Sequence, residues 1–267
     1  MNGVERLAAT FEALKKRRQK ALVTYITAGD PDLAATEKLV SAMDRAGADI
    51  IELGVPFSDP SADGPVIQRA AARALARQTT PADILRLAAK LNKTVRAPLV
   101  LMSYYNPVLQ YGLKDFCLQA AGAGVAGLII PDLPPEEAEP LLGEADKAGL
   151  AIIPLAAPTG HRRRFAKIAA VARGFIYAVT VTGITGTGQN VTAEIAGLAK
   201  RIREFTDLPI LAGFGIATAE QAAAVAGCCD GVVVGSALVR LVEEQGTAGI
   251  PAVTGLVRSL KEAVNKT

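Results

Sequence analysis

Short apolar runs alternate with longer, Ala-rich amphipathic stretches along the chain. The runs cover residues 21–27, 49–54, 99–104, 127–132, 151–155, 175–180, 210–213 and 231–235. Each is apolar at consecutive rather than alternate positions, the pattern of parallel strands buried on both faces. Helical periodicity occupies 33–46, 135–147, 162–172, 193–205 and 219–226, with Gly47, Gly149 and Gly227 standing where helix C-caps are expected. Eight such units in 267 residues predict a (β/α)8 TIM barrel. Extra helical patterns lie at the N-terminus (4–17), after the second strand (65–77 and 81–92) and at the C-terminus (251–264). Without a linker or low-complexity stretch, residues 1–267 read as a single domain. A doubly wound open sheet is the runner-up, weakened by the lack of a dinucleotide fingerprint.

One strand breaks its own pattern. In Ile50-Ile51-Glu52-Leu53-Gly54 a carboxylate stands among buried aliphatics. Such a group needs a partner or a shifted pKa, the condition that acid/base catalysis uses. A Gly/Pro-rich loop follows, and Asp63 stands where the next helical pattern begins. Barrels of this kind carry their chemistry at the C-terminal ends of the strands. The polar residues expected there are Tyr25, Asp30, Glu52, Asp63, Tyr104, Asn106, Asp132, Tyr177 and the 182–188 loop. Gly213-Phe214-Gly215-Ile216 and Gly235-Ser236-Ala237 follow the last two strands, where backbone N–H groups at helix starts can hold a phosphate.

Composition narrows the chemistry. Half the residues are hydrophobic, which supports a large core, and 29 basic against 26 acidic residues leave a net charge of only +3. That balance gives no reason to expect nucleic acid or membrane as a partner. The basic run Lys15-Lys16-Arg17-Arg18 reads as a solvated helix end with cations on its dipole. Three cysteines, two of them adjacent, form no disulfide framework; with no signal-like segment and no long apolar run, a soluble cytoplasmic protein is expected. The only histidine, His161, opens a helical pattern, so no transition-metal set is expected. No lysine falls at a strand's C-terminal end: Lys114, Lys167 and Lys200 all lie in helical patterns. There is no nucleophile elbow or Walker loop either. What remains is carboxylate acid/base chemistry on a phosphorylated compound.

The segments Glu52-Leu53-Gly54-Val55-Pro56-Phe57-Ser58-Asp59-Pro60, Ala62-Asp63-Gly64-Pro65, Pro131-Asp132-Leu133-Pro134, Thr182-Gly183-Ile184-Thr185-Gly186, Gly213-Phe214-Gly215-Ile216 and Gly235-Ser236 together resemble the α subunits of tryptophan synthase. They span nearly the whole chain, and the first is the most specific. The resemblance implies a lyase that cleaves indole-3-glycerol phosphate to indole and glyceraldehyde 3-phosphate in a retro-aldol step. It implies a β subunit, in an α2β2 assembly, that carries the pyridoxal phosphate, and no cofactor or metal in the α chain. Glu52 matches the family's acid/base carboxylate and Asp63 the carboxylate that accepts the indole N–H. Tyr25, Met102, Ile129, Leu155 and Tyr177 match the walls around indole, with Tyr104 and Phe214 beside them. Gly186, Gly215, Gly235 and Ser236 match the phosphate site, while Asp132 and Thr185 match a hydrogen bond that closes the site. Pro56, Phe57, Asp59, Asn106 and Pro107 match the β-facing surface. Thr187-Gly188-Gln189-Asn190 departs from the family, where a basic residue is frequent, and Thr24 replaces a frequent proline. A stand-alone lyase that releases free indole, and a catalytically silent barrel, are the competing readings.

Overall fold

The computed structural model describes residues 1–179, 188–213 and 215–267, with the backbone alone described at 188–190. Its strands are β1 (Ala21–Thr27), β2 (Ile50–Gly54), β3 (Leu99–Met102), β4 (Val125–Ile129), β5 (Ala151–Ile152), β6 (Leu155–Ala156), β7 (Ile176–Val179), β8 (Ile210–Gly213) and β9 (Gly231–Val234). All pairings are parallel, in the order β5-β4-β3-β2-β1-β9-β8-β7-β6. The two ends of that series, β5 and β6, are halves of one stretch of chain separated by Ile153-Pro154. The ring therefore closes as a (β/α)8 barrel, as the hydrophobic pattern predicts. Pro154 lacks an N–H and cannot continue the ladder. Its carbonyl still accepts the Tyr177 N–H at 3.0 Å, and Ile153 donates to the Leu128 carbonyl at 2.9 Å, which bridges the break.

Consecutive apolar residues along each strand serve two layers. Leu22, Ile26, Leu53, Leu101 and Leu128 join the outer core beneath the helices, with Leu39, Met43, Ile84 and Phe116. Val23, Ile50, Val100, Ile129, Phe175 and Leu211 fill the inside of the barrel. Helix α1 (Gly3–Lys16) plugs the N-terminal mouth: Leu7 and Leu14 join the inner cluster, and Phe11 lies edge-on to Phe175 at 5.9 Å. The extra helices α3 (Pro65–Ala76) and α4 (Pro81–Leu91) follow β2, and α12 (Ile250–Val264) ends the fold.

Several boundaries differ from expectation: β4 lies at Val125–Ile129 rather than 127–132, the helix expected at 193–205 runs Gly188–Ile202, and the strand expected at 151–155 is split. Helix α7 begins at Glu139 rather than 135, because Pro134 and Pro135 open a turn first. Two helices, α5 (Tyr105–Tyr111) and α6 (Leu113–Gly122), follow β3, separated by Gly112 at φ +94°. Gly47 and Gly149 are left-handed C-caps, whereas Gly227 caps α10 (Ala219–Ala226) at φ −61°, a conformation any residue adopts. Among the described residues no helix is long and apolar enough to cross a membrane.

Candidate active site

Register and alternation turn Glu52 into the barrel. Tyr25 on β1 and Val100 on β3 are its neighbours across the ladder. The side chain is 1% exposed, and its Oε2 has no hydrogen-bond partner among the described residues. Burial, and then the charge of Asp63, push the Glu52 carboxyl up to about 8. Asp63 lies in the loop that enters α3, half-buried; burial raises it to about 6, and a hydrogen bond from Tyr104 draws it back. Two carboxyls in one mouth thus hold different protonation states near neutrality, one as acid and one as anion.

Tyr104 holds the loop that carries Asp63. Its buried hydroxyl accepts the Ala62 N–H at 2.9 Å while donating to Asp63. Phe57 packs on its ring with centroids 5.4 Å apart. The loop carrying Asp63 is thereby clasped to the end of β3. Burial and the Asp63 charge also push the Tyr104 phenol upward, so it remains a donor.

Tyr25 and Tyr177 are both buried, and their hydroxyls are driven well above the ordinary range by burial and by the charges of Glu52 and Asp63. Each lies over a glycine on the neighbouring strand. A Cβ on Gly54 would stand 2.1 Å from the Tyr25 hydroxyl oxygen, and one on Gly213 would stand 2.5 Å from that of Tyr177. Gly213 therefore makes room for a tyrosine, a task that its sequence neighbourhood does not reveal because it depends on cross-strand register. Met102, Ile129, Leu155 and Tyr177 share the inner apolar cluster, and Met102 also touches Tyr25. These wall candidates are brought together around Glu52.

The phosphate candidates separate. Helix α10 begins behind Gly215 (φ +80°), but its N-terminus is closed by a capping box between Thr218 and Gln221. Helix α11 (Ser236–Gln245) has no side-chain cap, and Gly235 precedes it with a non-helical backbone. Its first-turn N–H groups and positive dipole end form the better anion site. Asp132 is exposed and accepts the Tyr105 N–H at 2.9 Å. Thr185, Gly186 and Phe214 lie outside the described residues. Among the described residues, no group of three or more His, Cys, Asp and Glu side chains is arranged to hold a metal.

The family model of the tryptophan synthase alpha chain matches residues 11–265. The chain is 50% identical over 264 residues to the tryptophan synthase alpha chain of Citrifermentans bemidjiense, covering 98% of this chain and 99% of that one. It is 50% identical over 262 residues to that of Geobacter sulfurreducens, covering 98% and 99%. Its fold is similar to the crystal structure of tryptophan synthase subunit alpha from Legionella pneumophila, with a TM-score of 0.92 and 40% identity over the full length of both chains.

Proposed function

The chain belongs to the tryptophan synthase alpha chain family, and on that premise we infer how its own residues carry the reaction. The enzyme is a carbon–carbon lyase of tryptophan biosynthesis that works with a tryptophan synthase beta subunit. The substrate assigned to it is indole-3-glycerol phosphate, released as indole and glyceraldehyde 3-phosphate, and the assembly is an α2β2 tetramer built on one barrel domain per α chain.

The observation that carries this reading is a buried Glu52, its Oε2 without a partner among the described residues, that keeps its proton to about 8, set beside an Asp63 that ionises at about 6. Cleavage requires the indole ring to leave as a neutral molecule, so its C3 must gain a proton. Glu52 donates that proton, leaving a carboxylate and a positive charge shared with the indole nitrogen. Asp63 accepts the indole N–H and stabilises that charge. The Glu52 carboxylate then takes the proton of the hydroxyl next to the ring. The bond between that carbon and C3 breaks, its electrons restore the indole, and the aldehyde forms. Glu52 ends protonated, as it began. The N-terminus of α11, with Gly235 and the Ser236 hydroxyl, holds the phosphate; Gly215 and Gly186 are assigned to the same subsite. Phe214 joins the indole walls, and an Asp132–Thr185 hydrogen bond is assigned to site closure.

Leu109, 48% exposed on the helix that begins beside Asn106 and Pro107, supports a partner surface there. The test is cleavage of indole-3-glycerol phosphate by the purified chain, with and without a beta subunit. Slow cleavage that the beta subunit accelerates is expected. Equally fast cleavage in both conditions would favour the stand-alone lyase, and no cleavage in either would favour the silent barrel.

A further inference from the structure

Four charged side chains outside the catalytic pair join the two ends of the site. Arg73, on α3, places Nε and Nη2 on the two oxygens of Asp30, both at 2.8 Å, and Nη1 on Glu243 Oε1 at 2.7 Å. Arg69, one turn earlier, places Nε and Nη2 on the same Glu243 at 2.7 and 2.8 Å. Asp30, in the loop after β1, is 3% exposed, and Glu243 lies on α11. One network thus ties three elements of the catalytic mouth, and bidentate guanidinium forks fix angle as well as distance.

The helices it joins carry the two halves of the proposed site. Asp63 stands just before α3, and Ser236 begins α11. Arg73 and Glu243 each lie about two turns into their helices. Between those helices the apolar contact is thin: Ala70 and Val239 meet Tyr25 in a small cluster of their own, flanked by Val66, Ile67 and Met102. Only three of those residues are buried, and Ala70 contributes a single methyl, so few atoms interlock to resist sliding.

We propose that the Asp30–Arg73–Glu243–Arg69 network is a positioning device that sets the span between the Asp63 carboxylate and the N-terminus of α11, so that one substrate molecule reaches both. This rests on the function proposed above. A molecule bound at two ends gains from the second contact only if the span fits, whereas a fragment that touches one end does not sense the span.

The test uses the full chain with Glu243→Gln, which leaves the Arg73–Asp30 pair in place, and Arg73→Lys, which keeps a cation but cannot serve both carboxylates. The KM for indole-3-glycerol phosphate is expected to rise about tenfold in each, with kcat changed less than about twofold. Inhibition constants for glycerol 3-phosphate and for indole, measured separately, should stay within about twofold of wild type. Unchanged KM in both variants would overturn the proposal. So would a raised KM matched by equal losses for either fragment, the mark of local damage to one end. A wild-type chain that neither cleaves the substrate nor binds glycerol 3-phosphate would instead overturn the functional reading, and this proposal with it.

Discussion

Asp49, just before β2, and Glu52, at the third position of that strand, meet opposite treatment. Asp49, at the N-terminal mouth, accepts the Leu22 N–H at 2.7 Å and Lys261 Nζ at 2.6 Å. Burial still pushes its carboxyl up, but Lys261 pulls it back. Glu52, at the catalytic mouth, has an Oε2 with no partner among the described residues. The contrast extends around the ring. Asp230 accepts the Ile210 N–H at 2.8 Å and an Arg203 N–H at 2.6 Å, and Asp44 accepts the Ala97 N–H at 2.9 Å. Parallel strands present free N–H groups where they start and carbonyls where they end, so strand backbone satisfies carboxylates at one mouth, whereas at the other their partners come from side chains and loops. Strand-start N–H groups thus anchor Asp49 and Asp230 at the first mouth, while at the second Asp30 is held by the Arg73 side chain and Glu52 Oε2 has no partner among the described residues.

The largest effect that sharpens this contrast comes from Glu52→Gln. Cleavage is expected to fall about a thousandfold or more, the scale of a lost acid/base, measured as kcat with indole-3-glycerol phosphate. Stability should move the other way. The folded pKa of about 8 exceeds the ordinary 4.5, so the folded chain holds a proton that the unfolded chain has lost between those values. Wild-type stability therefore falls as pH rises through that window, by on the order of 5 kcal/mol in total. The Gln variant should lack this fall, so melting curves at pH 5 and pH 8 separate the two proteins only at the higher pH.

Asp63→Asn comes next, with kcat reduced about a hundredfold, as for loss of a group that stabilises developing charge. In wild type the acid limb of the kcat/KM profile should lie at about 6, where Asp63 gains its proton, and it should be absent in the Asn variant. At the other mouth Asp49→Asn should cost about 3 kcal/mol by leaving Lys261 without its opposite charge, read from urea unfolding. The kcat/KM of the folded variant should stay within about twofold of wild type. A large loss of activity there would break the division between the mouths. The smallest effects distinguish the helix ends. Thr218→Ala removes a cap and should cost about 1 kcal/mol of stability with KM unchanged. Ser236→Ala should raise KM about threefold with little loss of stability.

Much of this was legible in the sequence. Residues 21–27, 33–46, 210–213 and 219–226 coincide with observed elements because apolar runs and helical periodicity there are uninterrupted. Glu52 was legible as an anomaly, since a charge among Ile50, Ile51 and Leu53 has no local explanation. Other features depend on which strands become neighbours. The seating of Tyr25 over Gly54 and of Tyr177 over Gly213 follows from register across the ladder, which periodicity along one strand does not contain. The Tyr104–Ala62 clasp spans 42 residues, and the open start of α11 emerged only by contrast with the capped start of α10. Pro154 carried the signal for the broken fifth barrel strand, although the apolar run around it predicted continuity.

Glu52 holds its proton at neutrality because it is buried and its Oε2 has no partner among the described residues. The direct measurement is the titration of its side-chain carboxyl by carbon-13 NMR in the ligand-free chain, with the resonance assigned by its loss in Glu52→Gln. A midpoint at about 8 is predicted. A midpoint near the ordinary 4.5 would contradict the account, because Glu52 would then be a paired anion like Asp49 and have no proton to give.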